Sequence, residues 1–167
     1  MHPIMPLGDD MTVRLAVVAD APAVAQVHVR TWQVVYRGHM PDDLLDNLSV
    51  EARTSMWERL IPSGGVWVAL DGDSVVGFAS AGPSRDADAS SELYAIYLLP
   101  SAWGSGLAEP LINLALSGMT DVVLWVLDDN PRARRFYERV GFVADGEKRE
   151  ESFGSAVVKE VRYRRAQ

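Results

Sequence analysis

The sequence predicts one α/β layered domain, with helices flanking a mixed, partly antiparallel central sheet. Three observations carry this. Apolar β-type runs alternate along the chain with segments whose apolar residues recur every three or four positions. Val66–Leu70 and Val75–Ala81 are joined by Asp71-Gly72-Asp73, a hairpin signal that makes the two runs antiparallel neighbours. Val122–Leu127 is an unbroken apolar run, the type expected in a sheet covered on both faces.

The expected order is β-α-α-β-β-β-α-β-α-β-β. Thr12–Val18 alternates and then runs apolar, as a first strand would, and Asp20-Ala21-Pro22 supplies a cap-like residue with an early proline. Val24, Val27, His28, Thr31, Trp32 and Val35 hold helical spacing to about Tyr36, and Gly38 ends the pattern. Pro41 to Leu48 reads as a short turn or helical piece. Ser49 caps a second helix through Met56, Trp57 and Leu60, stopped by Pro62-Ser63-Gly64-Gly65. After the hairpin, Pro83–Ser91 is small and polar, hence a loop, and Leu93–Leu99 is a strand ended by Pro100. Leu107–Met119 is helical, Val122–Leu127 a strand, and Pro131–Val140 a helix ending at Gly141. Phe142–Glu150 and Val157–Tyr163 close the chain as a hairpin around Gly154-Ser155.

The chain has 167 residues, 48% of them hydrophobic and 23% charged, the size of one ordinary domain. Residues 11–167 are expected to form it, with residues 1–10 as a loose tail. No run approaches the length of a membrane span, and the first ten residues hold no Lys or Arg, so neither a signal peptide nor a membrane anchor is expected. Cysteine is absent, which excludes disulfides, thiolate metal sites and an acyl-cysteine intermediate. A cytoplasmic location follows as the default. With His2, His28 and His39 as the only histidines, neither a metal cluster nor a Ser-His-Asp triad is easily assembled. The net charge of −7 is uneven: residues 1–129 carry 6 basic and 17 acidic side chains, residues 130–167 carry 10 and 6. An acidic body disfavours nucleic acid, while the basic last quarter is either a solvated face or a surface for an anion.

Trp103-Gly104-Ser105-Gly106-Leu107-Ala108 joins a strand to a helix. Helix-start N–H groups lack intrahelical partners and carry the positive end of the helix dipole, so such a turn suits a phosphate. Glycines at 104 and 106 let the backbone take positive φ and approach a ligand closely. The turn is no P-loop, because no Gly-Lys-Ser/Thr follows, and Pro110 stands where a dinucleotide fingerprint has its third glycine. Alone, it says that an anion could bind.

Further on, Asn130-Pro131 opens a helix that carries Ala133, Phe136 and Tyr137 and ends at Gly141-Phe142. With Leu93–Leu116 as strand, phosphate turn and helix, and Asn130–Phe142 in the pattern Asn-x-x-Ala-x-x-Phe-Tyr-x-x-x-Gly-Phe, the chain resembles the GNAT family of N-acetyltransferases. The resemblance covers most of the domain. It implies direct transfer of an acetyl group from acetyl-CoA to an amine in a ternary complex, without a metal, in a cleft where two central parallel strands splay apart. By similarity, main-chain groups of Ile96, Tyr97 and Leu98 pair with the pantetheine, and residues 103–108 hold the pyrophosphate. Asn130, Ala133 and Phe136 complete the cofactor site, Asn130 fixing either the pantetheine arm or the following helix. Tyr137 matches the family's usual general acid. A homodimer is common in the family.

Amine attack on a thioester builds an oxyanion and expels a thiolate, so the site needs a main-chain donor, here expected near Leu98, and a proton source. A base must also neutralise the amine. Some relatives place a glutamate five positions before Asn130, where this chain has Trp125. Glu92, at the start of the strand leading to the turn, is the candidate, acting directly or through water; a solvated strand-end carboxylate is its other reading. Trp103, Ser105 and Glu109 stand where relatives often have polar or basic residues, so phosphate binding would rest on backbone donors. Arg132, Arg134 and Arg135 are either an exposed helix face or a compensation at the adenosine end.

The first two helices and the closing hairpin are expected to shape the acceptor pocket, which puts Trp32, Tyr36 and the 37–48 loop beside the substrate. Trp32 and His28 could equally be core. The favoured acceptor is a small primary amine. A protein N-terminus or lysine is the alternative, and a non-catalytic acyl-CoA sensor is the reading from a different class.

Overall fold

The computed structural model describes residues 4–6 and 10–166. Eight strands form one sheet: β1 (Ile4–Pro6), β2 (Met11–Leu15), β3 (Val66–Asp71), β4 (Ser74–Pro83), β5 (Ser91–Leu98), β6 (Asp121–Leu127), β7 (Val143–Phe153) and β8 (Ala156–Ala166). Their spatial order is β1-β2-β3-β4-β5-β6-β8-β7, antiparallel everywhere except between β5 and β6. Helices α1 (Ala21–Val35), α2 (Asp42–Asp46), α3 (Val50–Leu60), α4 (Ala108–Ala115) and α5 (Pro131–Arg139) complete the chain. Each expected element is present, in the expected order.

Four local expectations are corrected. Within the supposed tail of residues 1–10, Ile4–Pro6 doubles back and pairs with Thr12–Arg14, giving the outer side of β2 main-chain partners; the remainder of residues 1–9 lies outside the described residues. The first strand stops at Leu15, and Val18–Asp20 is a single 3-10 turn. Asp20 does not cap α1 with its side chain. Its carboxylate accepts from the Val17 N–H at 2.8 Å and from the Arg14 guanidinium at 2.7 and 3.0 Å, so it ties the turn to the strand. Helix α4 ends at Ala115 rather than Met119, because the chain turns out through Gly118 at φ 82°.

The two faces of the sheet bury different helices. Val24, Ala25 and Val27 of α1 and Trp57 of α3 pack with Val68, Leu70 and Phe78. On the other face Leu111, Ile112 and Ala115 of α4 and Tyr137 of α5 pack with Ala79, Leu93, Leu124 and Val126. Full burial of each valine or leucine stabilises the fold by roughly 1.5–3 kcal/mol. A third cluster, Tyr36, Met40, Leu45, Leu127, Ala156 and Val158, joins the end of α1 to the closing hairpin.

One irregularity positions everything that follows. Ala95 of β5 lies opposite Ser80 of β4 and Leu93 opposite Ala81, so Tyr94 is an extra residue, a bulge. It switches which face later residues occupy, and a bulged strand bends. On its other side β5 pairs with β6 only at Ser91 with Val122 and Glu92 with Val123. Beyond those pairs the two strands separate, and the gap opens a passage between the α4/α5 side and the α1 side.

On the α1 side, His28 lies among the rings of Trp32, Trp57, Phe78 and Tyr97, with centroids 5.8–5.9 Å away. The Trp57 indole donates to its Nδ1 at 3.2 Å. Burial first, and the Arg53 charge second, lower its pKa from 6.5 to about 4. Between those values the unfolded chain binds a proton that the folded chain refuses, so stability is full above pH 6.5 and falls towards pH 4. Urea unfolding should show this loss, at most roughly 3 kcal/mol from this one group. His28→Gln, which keeps an acceptor for Trp57 but does not titrate, should lack that part of the slope.

Candidate active site

The gap between β5 and β6 is the floor of a cleft of about 850 Å³ that runs from the turn at 103–108 to the closing hairpin. Ile96, Tyr97, Leu98, Trp103, Gly104, Ser105, Gly106, Ala108, Asn130, Ala133, Phe136, Tyr137, Glu92, Trp32 and Tyr36 all border it. Residues far apart in the sequence therefore meet around one space. Leu107 is the exception: its side chain is buried in the core, and its N–H is taken by the Ser105 hydroxyl at 3.3 Å, so it has no free donor.

The turn has the expected strain pattern. Gly104 and Gly106 sit at φ 76° and 84°, where a side chain costs roughly 1–2 kcal/mol, although a Cβ at either would touch nothing. Among the described residues the N–H groups of Gly104, Gly106, Ala108 and Glu109 have no main-chain acceptor, whereas Trp103 and Ser105 donate to Pro100 and Ala102. Pro110 falls at the third position of α4 and removes one donor only. These free donors at the start of α4 can hold an anion without any basic side chain from the turn.

Across the cleft mouth the Arg132 guanidinium stacks on the Trp103 ring, 3.8 Å from its centroid. The Trp103 indole in turn donates to the Leu98 carbonyl at 2.9 Å, so that carbonyl is already engaged, while the main chain of Ile96 and the Leu98 N–H face the gap beyond the last β6 pair; the main chain of Tyr97, against expectation, alternates to the other side and pairs with Phe78 of β4. Arg135 also borders the cleft. Arg134 does not: it bonds the Asp128 carboxylate at 2.9 Å and the Tyr163 hydroxyl at 3.0 Å, tying α5 to the sheet.

Asn130 caps α5, its Oδ1 accepting from the Ala133 N–H at 3.2 Å. Between the alternatives for Asn130, its side chain holds the helix. About two helix turns later Tyr137 packs its ring against Phe136, Phe142 and Tyr163. Its hydroxyl has no hydrogen-bond partner among the described residues and is not sealed from solvent, so it opens into the cleft. Burial, and the neighbouring Tyr97, push this phenol above its ordinary range, which keeps it protonated at neutral pH.

Glu92 is positioned otherwise than the sequence suggests. It is 1% exposed, and Arg85 takes both carboxylate oxygens: the main-chain N–H and Nε reach Oε1 at 3.0 and 3.3 Å, and Nη2 reaches Oε2 at 2.5 Å. Three donors from one arginine occupy both oxygens of this buried carboxylate and anchor the 84–90 loop through it, which leaves at most one acceptor site on Oε2. Trp125, where a glutamate stands in some relatives, donates to Asp86 at 2.9 Å in the same loop.

The far end of the cleft is aromatic. Trp32 packs on Tyr36 at 4.8 Å and edge-on to Phe153 at 5.0 Å, and its indole donates to the Tyr97 hydroxyl at 3.1 Å. Phe153, Arg149 and Glu160, all from the closing hairpin, border the cleft here and were not singled out in the sequence. A signal existed: Glu160 lies in the same alternating phase as Ala156 and Val158, so a charged residue occupies an inward position of an otherwise apolar pattern.

This geometry has relatives. A family model described as the acetyltransferase (GNAT) family matches residues 22–142. The chain is 36% identical over 129 residues to an uncharacterised N-acetyltransferase, YuaI, of Bacillus subtilis, covering 72% of this chain and 74% of that one. Among solved structures, the PaiA N-acetyltransferase of Thermoplasma acidophilum, in complex with coenzyme A, aligns with TM-score 0.72 at 17% identity, over 95% of this chain and 100% of that one. YncA of Salmonella typhimurium, with acetyl-CoA, aligns with TM-score 0.67 at 21% identity, over 95% and 94%. At those identities the two structures speak for the fold.

Loss of the cap at Asn130 should cost about 1 kcal/mol of stability in Asn130→Ala, read by chemical denaturation. Asn130→Asp, which keeps an acceptor at the helix start, should restore most of it.

Proposed function

Since this chain belongs to the GNAT acetyltransferase family and is an N-acetyltransferase, we propose that it transfers the acetyl group of acetyl-CoA to a primary amine of a small molecule, by direct attack within a ternary complex. The observation that carries this reading is the continuity of one cleft, from free helix-start N–H groups at one end to the open Tyr137 hydroxyl at the β5/β6 gap. No helix among the described residues is long and apolar enough to cross a membrane. We place the reaction in the cytoplasm.

The pyrophosphate of coenzyme A fits the turn: positive-φ glycines open it, and N–H groups of Gly104, Gly106 and Ala108 are unpaired. Backbone donors do the work there, because Ser105 already donates and accepts within the turn and Glu109 is acidic. Arg132 and Arg135, at the cleft mouth, add positive charge beside the anion. The pantetheine arm suits the gap, where the main chain of Ile96 and the Leu98 N–H have no β6 partner and can pair with an amide-bearing chain as a strand would.

The coenzyme supplies an activated acetyl thioester. Attack by the amine nitrogen forms the N–C bond and an oxyanion, which a main-chain N–H at the bent end of β5 can stabilise. Collapse breaks the C–S bond, and Tyr137 gives its proton to the departing thiolate and regains one from the new amide nitrogen. A phenol held protonated by burial suits that donation.

Phe153 closes against Trp32 at the acceptor end, and Tyr36 stands behind them. A space roofed by a hairpin side chain and walled by indole and phenol rings suits a small cation better than an extended peptide. That favours a small-molecule amine over a protein terminus.

A thiol-release assay with acetyl-CoA across a panel of amines, paired with calorimetric binding of coenzyme A, tests the reading. Turnover on at least one small amine is expected; binding without turnover would leave a sensor, and no binding would end the proposal. Tyr137→Phe should bind coenzyme A normally and lose roughly 100-fold or more in kcat. Gly106→Ala should keep its fold and weaken coenzyme A binding about tenfold, because relieving the strain at φ 84° moves the free donors.

A further inference from the structure

Strand β8 carries two charges where its alternation calls for apolar side chains. Glu160 and Arg162 follow Ala156 and Val158 on the same inward phase and are 7% and 5% exposed. A charge removed from water costs several kcal/mol unless it is fully paired. Arg162 is fully paired, with Asp88 at 2.7 Å, Asp145 at 2.7 Å and Asp86 at 3.3 Å. Glu160 is not.

Its Oε1 accepts from the Arg149 Nε at 2.8 Å. Its Oε2 has no donor among the described residues and is not sealed from solvent, and Glu160 borders the cleft. Glu92, by contrast, has both oxygens taken. The register puts Glu160 opposite Leu127, the last residue of β6, at the edge of the gap. The groups around it come from five elements: Arg149 and Glu151 from β7, Leu127 from β6, Tyr36 from α1, Tyr97 from β5 and Tyr137 from α5. Burial first, and then Tyr97 and Glu160 among its neighbours, raise the Tyr36 phenol, and Glu160 acts on Tyr97 as well, which places both phenols within electrostatic reach of Glu160. The Arg149 guanidinium is itself stacked on Trp125, 4.3 Å from the ring centroid, so the residue that orients Glu160 is held from behind.

We propose that Glu160 is the general base: its open Oε2 receives the acceptor's ammonium on the α1 side of the gap and takes one of its protons, leaving a neutral amine to attack the thioester. This rests on the acetyl-transfer reading above. The protons balance. The ammonium gives one proton to Glu160, which passes it to solvent; the attacking nitrogen loses a second, which restores Tyr137 after that residue has protonated the thiolate; the third stays on the amide. Arg149 is a positioning residue, holding Oε1 so that Oε2 faces the cleft. A base on this strand approaches the amine from the acceptor side, opposite the proton donor on α5.

Glu160→Gln tests it, because the amide keeps an oxygen for Arg149 Nε and loses only the basic site. With an amine that the wild type acetylates, kcat/KM at pH 7 should fall roughly 100-fold or more while the calorimetric affinity for coenzyme A stays the same. The deficit should shrink as pH rises towards the amine's own pKa, since solution then supplies the neutral amine. A variant within about threefold of wild type at pH 7 overturns the proposal. So does a deficit that is the same at every pH up to the amine's pKa, which marks a structural role. Should Glu160→Gln melt far below the wild type, Glu160→Met, of similar volume and equally without a basic site, carries the same test, with the same alkaline recovery expected and the same two outcomes against. If the wild type itself acetylates no amine, the acetyl-transfer reading fails first.

Discussion

The rest of the molecule depends on the failure of β5 and β6 to stay paired. Two parallel pairs, at Ser91 and Glu92, hold them together, and past the bulge at Tyr94 β5 stays paired with β4 alone. A continuous sheet would have sealed the two layers from each other. The break leaves the main-chain groups of Ile96 and the Leu98 N–H unpaired inside the domain, a costly state unless a ligand or water satisfies them. The binding site and the defect in the sheet are the same feature.

Both sides of the break are braced by groups that do not themselves face a ligand. On the β5 side, Arg85 fills Glu92 and so pins the loop before the strand. Asp86 and Asp88 of that loop clasp Arg162 of β8, and Arg164 reaches Asp121 at 2.7 Å, so the loop bridges the opening from above. The Arg162 pairing draws Asp88 down to a pKa of about 2, so this brace survives well into acid. A splayed sheet is thus kept open by ion pairs at one end and by the aromatic cluster of Trp32, Tyr36 and Phe153 at the other. Between them lie the open Tyr137 hydroxyl on the α5 side and the open Glu160 carboxylate oxygen on the α1 side.

Much of this was legible in the sequence. Periodicity placed the strands from Met11 onward and the four longer helices, because amphipathic spacing records which face each element buries. The Gly104 and Gly106 turn and the Asn130 cap were readable because each depends on local backbone geometry. The basic last quarter was ambiguous, and the structure divides it: Arg132 and Arg135 border the cleft, Arg149 borders it while paired with Glu160, and Arg134, Arg162 and Arg164 are spent on internal pairs. The short strand Ile4–Pro6 was missed because three residues carry no period, and its partner is what makes it a strand.

By itself, the sequence determined the fold class, the glycine turn before α4, the capped α5 helix with Tyr137, and membership of an acetyltransferase family, all of which rest on local patterns. Only the tertiary structure decided which carboxylate is free. Glu92 and Glu160 are equally plausible in a string, but charge pairing is settled in space, where Arg85 occupies both oxygens of one and Arg149 leaves an oxygen of the other open. The same holds for the splay itself, since a bulge is defined by the strand across from it and not by the residues that form it.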